Sequence, residues 1–306
     1  MTLLEELAKN KEIRIDFHNH GQTGSVFRQK QKGLKNKIKG LFLSEGFENL
    51  SQLLNGLYKS DLDVLYVTNF SDSRYENWTS KEQLEIAKLA GYQIEQGDYF
   101  TFVKKDGKVK AIGKSEEVPT EQGHMLFAGI KRGKKFSDGK SLDETLKESN
   151  DGELKIADHP FCGIRGQNGV MAKSKNPKEI SDKVDALERN GNFYLPFSFA
   201  DYKVIKYSKK YNIPLITDAD GHHPKDIGKC YNIFKSESLK YSSERVFRDS
   251  INNQVRENNF ETHYHPIPIY RIFHHVLMIV FNKLFNKDWE KQENRHVQQR
   301  QYERAA

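Results

Sequence analysis

Two histidines one residue apart close a short apolar run, Ile13-Arg14-Ile15-Asp16-Phe17-His18-Asn19-His20. Far downstream, Ile213-Pro214-Leu215-Ile216-Thr217-Asp218-Ala219-Asp220-Gly221-His222 ends in a carboxylate and an imidazole at the same spacing. In a β-strand, residues i and i+2 point to one face, so each pair can offer two ligands to one ion. Imidazole combined with carboxylate suits zinc, manganese or iron better than calcium or magnesium. One such pair alone is more often an ordinary histidine. Two pairs at strand ends, with further candidates between them, point to a metal centre.

Those further candidates are Glu117, His124 and His159. Glu117 lies in Ser115-Glu116-Glu117-Val118-Pro119-Thr120, read here as an acidic loop, just before Gly123-His124 and an apolar strand. His159 follows a short apolar run and precedes Pro160-Phe161. Together with His18, His20, Asp220 and His222 they make seven nitrogen or oxygen donors, each beside a strand-like run. Seven are too many for one four-coordinate ion and enough for two, with Glu117 a natural bridge.

The elements that must hold these residues alternate in type. Ile13–Phe17 reads as a strand, 47–58 as an amphipathic helix, Asp63–Thr68 as a strand and Lys81–Ala90 as a helix. Tyr99–Val103 and Lys108–Ile112 flank Asp106-Gly107, a hairpin signal. A strand at His124–Ile130 precedes a helix opening at Ser141, with Asp143 and Glu144 in its first turn. Leu154–Ala157 and Val184–Leu187 are short strands, 200–211 is a helix, and Pro214–Thr217 is the strand that delivers Asp220. This alternation predicts an α/β protein with a largely parallel sheet. Ligand candidates at several strand ends predict a barrel, whose C-terminal face is where such sites are built.

With 306 residues, 36% hydrophobic and 30% charged, the chain has ample material for a buried core and a well-solvated surface. Its two cysteines, Cys162 and Cys230, form no Cys-x-x-Cys, which argues against a disulfide framework or thiolate zinc site. The N-terminal Met1-Thr2-Leu3-Leu4-Glu5-Glu6-Leu7 is too acidic for a signal peptide, so the expected location is cytoplasmic. The net charge of +7 is clustered in Arg28–Lys39 and Lys131–Lys135. Such runs are usually solvated loops, although near a metal site they would attract a phosphorylated substrate. Apolar 269–285 contains Arg271, His274 and His275, which make it a poor membrane span. It is read as a packing helix, with an interfacial helix or dimer contact as the runner-up.

The motif order resembles the PHP family (polymerase and histidinol phosphatase). The matching segments are Asp16–His20, Glu117–Gly123, His159–Phe161 and Asp220-Gly221-His222-His223-Pro224-Lys225-Asp226-Ile227-Gly228, with Leu187–Gly191 resembling a strand that ends Glu-x-x-Asn-Gly. The resemblance spans roughly residues 11–230 and rests on the combination of motifs. It implies a distorted seven-stranded (β/α) barrel over residues 1–260, followed by a helical extension over 261–306. It also implies hydrolysis of a phosphate ester by a metal-activated hydroxide. The first ion would take His18, His20, Glu117 and Asp220, and the second Glu117, His124 and His159. A third would retain only His222, because Val67-Thr68-Asn69-Phe70 stands where the family usually carries Thr-Asp-His. Phe70 cannot ligate, and Asp72 is the one nearby substitute, so two zinc, manganese or iron ions are expected.

Glu117 and Asp220 are the expected catalytic carboxylates, with Arg165 a candidate for neutralising substrate phosphate. The substrate would be a phosphorylated small molecule or a nucleic-acid end; no stable membrane span is expected, and oligomeric state is open. Rival readings are a catalytically impaired PHP-like scaffold that binds metal, an amidohydrolase-like enzyme acting on C–N bonds, and a nucleic-acid-binding module resting on the lysine-rich segments. The last lacks aromatic residues interleaved with its charge.

Overall fold

Ile13, Ile15 and Phe17 alternate with more polar neighbours and form the inward apolar face of the first strand, β1 (Glu12–Asn19). The computed structural model describes residues 1–20, 50–70, 73–149, 152–164, 167–172, 174–191, 198–221 and 224–266. After helix α1 (Leu3–Leu7) and β1 come α2 (Leu50–Lys59), β2 (Val64–Phe70), α3 (Arg74–Trp78) and α4 (Lys81–Leu89). A run of strands follows: β3 (Gln93–Gln96), β4 (Phe100–Lys105), β5 (Lys108–Pro119) and β6 (His124–Ala128). Next are α5 (Leu142–Glu148), β7 (Leu154–Ala157), the small hairpin β8 (Gly163–Ile164) and β9 (Gln167–Asn168), and α6 (Pro177–Ser181). The chain continues through β10 (Ala186–Asn190), α7 (Ser198–Tyr211), β11 (Leu215–Asp218), β12 (Cys230–Lys235), α8 (Glu244–Arg256) and β13 (Glu261–Tyr264).

The main sheet has eleven strands rather than the seven expected. Strands β1, β2, β5, β6, β7, β10 and β11 lie side by side in that order. An isolated bridge between Asn19 and Gly221 returns the chain just past β11 to β1, so this path nearly closes into a barrel. Side chains seal the seam: Asp218 accepts from the Phe17 amide at 2.9 Å and Asp16 from the Ala219 amide at 3.3 Å. The surplus strands are additions, β3 and β4 against the first half of β5, and β12 and β13 beyond β1.

The sheet is also mixed, not largely parallel. β1–β2, β2–β5, β7–β10 and β10–β11 are parallel, whereas β5–β6 and β6–β7 are antiparallel. The physical reason lies in the turn after β5. Only Thr120–Gly123 separates β5 from β6, and a parallel crossover needs about a dozen residues or more. Thr120 closes that turn, its amide and hydroxyl both donating to the Gly123 carbonyl.

Three apolar clusters organise the molecule. The barrel interior holds Ile13, Ile15, Phe17, Val64, Tyr66, Ala111, Leu126, Ala128, Leu154, Ile156, Ala186 and Ile216, joined by Leu3 and Leu7 of α1 and Phe247, Ile251 and Val255 of α8. Outside, α2 and α4 cover Leu65, Val67 and Ile112, while α5, α6 and α7 cover Met125, Phe127, Ala157 and Leu187. Side chains one residue apart thus sort to opposite sides of the wall, as the two-residue period of a strand requires. Capping boxes at Thr2/Glu5 and Ser141/Glu144 start α1 and α5. No described helix is long and apolar enough to cross a membrane. The apolar segment 269–285 and the basic segment 28–39 lie outside the described residues.

Candidate metal centre

The interior positions that are apolar deep in the barrel become polar toward one end. Continuing the same alternation past Tyr66 gives Thr68 and Phe70; past Ala111 it gives Ser115 and Glu117. Past Ile156 it gives Asp158, past Ala186 Glu188 and Asn190, and past Ile216 Asp218 and Asp220. Because β6 runs antiparallel, its first residue, His124, reaches the end where its parallel neighbours finish. In β1 the register with β2 shifts between Asp16 and Asn19, an extra residue that lets both Phe17 and His18 face inward. Glu117, read from sequence as lying in an acidic loop, is instead held near the end of a twelve-residue strand.

Six of the seven sequence candidates, His18, His20, Glu117, His124, His159 and Asp220, meet there, all of them buried. His18 Nε2 lies 3.1 Å from His20 Nε2, 3.5 Å from Asp220 Oδ1 and 3.8 Å from Glu117 Oε2. His20 Nε2 lies 3.1 Å from the same Glu117 oxygen and 3.4 Å from the same Asp220 oxygen. The other oxygen of Glu117, Oε1, faces His124 Nδ1 at 2.5 Å and His159 Nε2 at 3.5 Å. Glu117 therefore divides its carboxylate between two groups of donors. Tetrahedral ligands about 2.1 Å from an ion sit about 3.4 Å from one another, so this spacing suits divalent cations. His222 and Arg165 lie outside the described residues, as does Asp72.

Residues that were not singled out as site groups complete the arrangement. His18 Nδ1 is 2.8 Å from Glu188 Oε1, the carboxylate partner that would leave Nε2 unprotonated toward the centre. Glu188 is itself fixed: its Oε2 accepts from the His159 amide at 2.8 Å and from Asn190 Nδ2 at 3.1 Å. Asn190 Nδ2 also donates to Asp220 Oδ2 at 2.9 Å, tying the two carboxylates together. Asp158 lies between imidazoles, 3.0 Å from His159 Nε2 and 3.4 Å from His18 Nδ1. Glu188 lies in a quoted motif and Asp158 just before one, but only the inward alternation of β7 and β10 shows that they face the same interior as the histidines.

Burial and crowded charge set the proton affinities. Burial alone would depress His18 and His159. The carboxylates around them, Asp158, Asp220 and Glu188 for His18, Asp158 and Glu117 for His159, instead raise both well above the ordinary imidazole value. His20 is raised by Asp220 and Glu117 against the same burial effect. Burial would raise Glu117, yet hydrogen bonds and charge from His124, His159 and His18 carry it well below the usual carboxylate range. Glu188 is pushed well above that range by burial and by Asp158. At the barrel seam, burial lifts Asp16 to about 7. The carboxylates that draw protons to His18, His20 and His159 are the same groups that divalent cations would engage.

Two site residues adopt positive φ, His159 at 25° and Asp220 at 44°. Such backbone typically costs 1–3 kcal/mol and persists where the surroundings enforce it. Behind His159 the chain passes so closely that a Cβ on Gly169 would lie 2.2 Å from the His159 carbonyl oxygen. On the opposite wall, Phe70 packs against both His20 and His124, with ring centroids 6.4 and 5.6 Å away. An apolar ring therefore borders the two imidazoles at this position. Asn69, next to it, turns outward to Glu76 and the Tyr75 amide. The basic run at 131–135 is engaged within the fold: Lys131 pairs with Asp98, Lys134 with Glu153, and Arg132 bonds the Gly97 carbonyl.

No family model and no curated protein matches this chain. Among solved structures it is similar to PsfC from Pseudomonas syringae PB-5123, at 14% identity and a TM-score of 0.53, over 90% of this chain and 99% of that one. It is also similar to a two-domain protein from Bacteroides vulgatus ATCC 8482 containing a predicted PHP-like metal-dependent phosphoesterase. There the identity is 14% and the TM-score 0.49, over 83% of this chain and 65% of that one. At 14% identity the likeness to PsfC is one of fold alone.

Proposed function

We propose that this chain is a metal-dependent phosphoesterase of PHP type with two divalent ions. The observation that carries this reading is Glu117, whose two oxygens face two separate sets of imidazoles. His18, His20 and Asp220 would hold the first ion with Glu117 Oε2; His124 and His159 would hold the second with Glu117 Oε1. Zinc, manganese or iron fits this nitrogen and oxygen set. Bound ions of this kind polarise a phosphoryl oxygen and make water a nucleophile at neutral pH. The chain's own residues supply the rest: Glu188 orients His18, Asn190 positions Asp220, and the apolar floor of Phe17, Tyr66 and Leu126 keeps water to the open side. Phe70 favours two ions over three. Arg165 is the proposed contact to substrate phosphate.

Elemental analysis of the purified protein, followed by a phosphomonoester and phosphodiester panel with added manganese or zinc, tests the proposal. Glu117→Ala should release both ions and Asp220→Ala chiefly the first, each abolishing turnover. A wild-type protein that binds no divalent metal, or variants that keep full metal content and rate, would refute it.

A further inference from the structure

We propose that Asp158 is a ligand of the second ion, through Oδ2, and that its Oδ1 ties that ion to the outer nitrogen of His18. The inference rests on the dinuclear reading above and extends it to a residue that the family pattern does not supply. Asp158 is fully buried, and among the described residues neither of its oxygens accepts a hydrogen bond of good geometry. A buried carboxylate left in that state is costly unless a cation or a strong donor faces it. What faces it is the donor group itself. Glu117, His124, Asp158 and His159 each present an atom within 4.8 Å of all the others.

The backbone is bent to make this possible. Consecutive residues in a strand point to opposite sides, yet Asp158 and His159 both face the interior. The positive φ of His159 breaks the alternation, and the chain at Gly169 packs directly behind the turn. With Asp158 included, the two donor sets match. The first has His18 and His20, its own carboxylate Asp220, and a share of Glu117. The second has His124 and His159, its own carboxylate Asp158, and a share of Glu117. Without Asp158 the second ion would have one anionic ligand fewer than the first, and three carboxylates offset two divalent ions better than two do.

A competing arrangement puts an ion among His18 Nδ1, Asp158 and Glu188, which also lie close together. Glu188 argues against it, since its oxygens already accept from His18, the His159 amide and Asn190. Asp158 faces only the imidazoles of His159 and His18, and neither contact is a hydrogen bond of good geometry.

The test is metal binding to the full chain, read without activity. Asp158→Asn keeps the shape and removes the charge. It should lower manganese or zinc stoichiometry from about two equivalents to about one, with second-ion affinity falling more than the roughly 10–100-fold that loss of an outer-shell partner costs. First-ion affinity should change little. Asp158→Cys, loaded with cobalt(II), should show a thiolate-to-cobalt charge-transfer band that the wild type lacks, since a thiolate at a ligand position binds directly. Two equivalents retained at unchanged affinity in Asp158→Asn would overturn the inference, as would weakening confined to the first ion, which would make Asp158 only a support for His18. Loss of both ions with no thiolate band in Asp158→Cys would overturn it too. In all these outcomes a wild type with two ions leaves the dinuclear reading intact; a wild type without metal would refute both.

Discussion

Glu188→Gln isolates the role of a residue that the dinuclear proposal leaves outside both ion sites. Glu188 Oε1 lies 2.8 Å from His18 Nδ1, while Oε2 accepts from the His159 amide and from Asn190. Both sides of this carboxylate therefore face donors. An amide has one accepting oxygen and one donating nitrogen. If its nitrogen turns to His18, Nδ1 must become the acceptor, and the proton moves to Nε2, the nitrogen aimed at the ion. If its nitrogen turns the other way, it meets two N–H groups. Either orientation loses one hydrogen bond to a charged acceptor, about 1.5–3 kcal/mol. Mutation of an outer-shell partner generally costs 10–100-fold in metal affinity, about 1.4–2.7 kcal/mol, so the two magnitudes agree. Competition against a chelator should show first-ion affinity falling by about that factor. Melting of the metal-free protein separates this effect from damage to the fold. Burial and Asp158 raise the Glu188 pKa, so its contribution to stability is present at low pH and lost as pH rises through the folded value. The neutral amide removes that loss, and metal-free Glu188→Gln should be at least as stable as wild type at alkaline pH. First-ion affinity within about threefold of wild type would refute the tautomer argument.

The metal-free protein should show a stability optimum in pH. The raised His18 and His159 contribute stability that is full below about 6.5 and lost as pH rises through their folded values. Lowered Glu117 and Asp158 contribute stability present above about 4 and lost as pH falls through theirs. Thermal melting across pH, with and without metal, checks both limbs, and metal addition at neutral pH should release protons measurable in weak buffer. Phe70→Ala should leave two ions bound and cost about 1–3 kcal/mol, less than a fully buried phenylalanine because the ring is only half-buried; a third equivalent in elemental analysis would contradict it. Gly169→Ala should displace the His159 carbonyl and weaken the second ion in preference to the first, as read by chelator competition.

Much of this site was legible because metal chemistry restricts residue type and strands restrict spacing. His18 with His20, and Asp220 at a strand end, follow from those two rules, and the distances between them, 3.4 and 3.5 Å, show how far the rules reach. Three things were not legible. Glu117 looked like loop because Ser115-Glu116-Glu117 is polar; in the structure Glu117 faces inward while Glu116 faces outward and accepts the Phe136 amide, so both sit in a strand whose two faces are polar. The antiparallel course of β6 depended on a four-residue turn whose pattern did not state direction. Asp158 and Glu188 were hidden because adjacent motif letters do not say which side chains converge.

The antiparallel strand is also what brings a second set of metal-ligating side chains to one barrel end. In an all-parallel ring each strand brings its C-terminal residues to the mouth, and a residue at a strand start, such as His124, would lie at the far end. Reversal of β6 brings His124 across the four-residue turn to Glu117, with Nδ1 2.5 Å from Oε1. The same turn pairs Pro119 with His124 in register, so Glu117, which pairs with Leu126, and His124 lie two rungs apart on one face of a single hairpin. The first set is built differently, from β1 and the end of β11, which meet only where the barrel closes at Asn19 and Gly221. In the proposed dinuclear reading one ion would therefore depend on a local hairpin and the other on closure of the barrel, with Glu117 common to both. Perturbing the seam, for example by Asp218→Ala, should weaken the first ion more than the second. Equal loss of both in a folded protein would show that the two sets are not assembled independently.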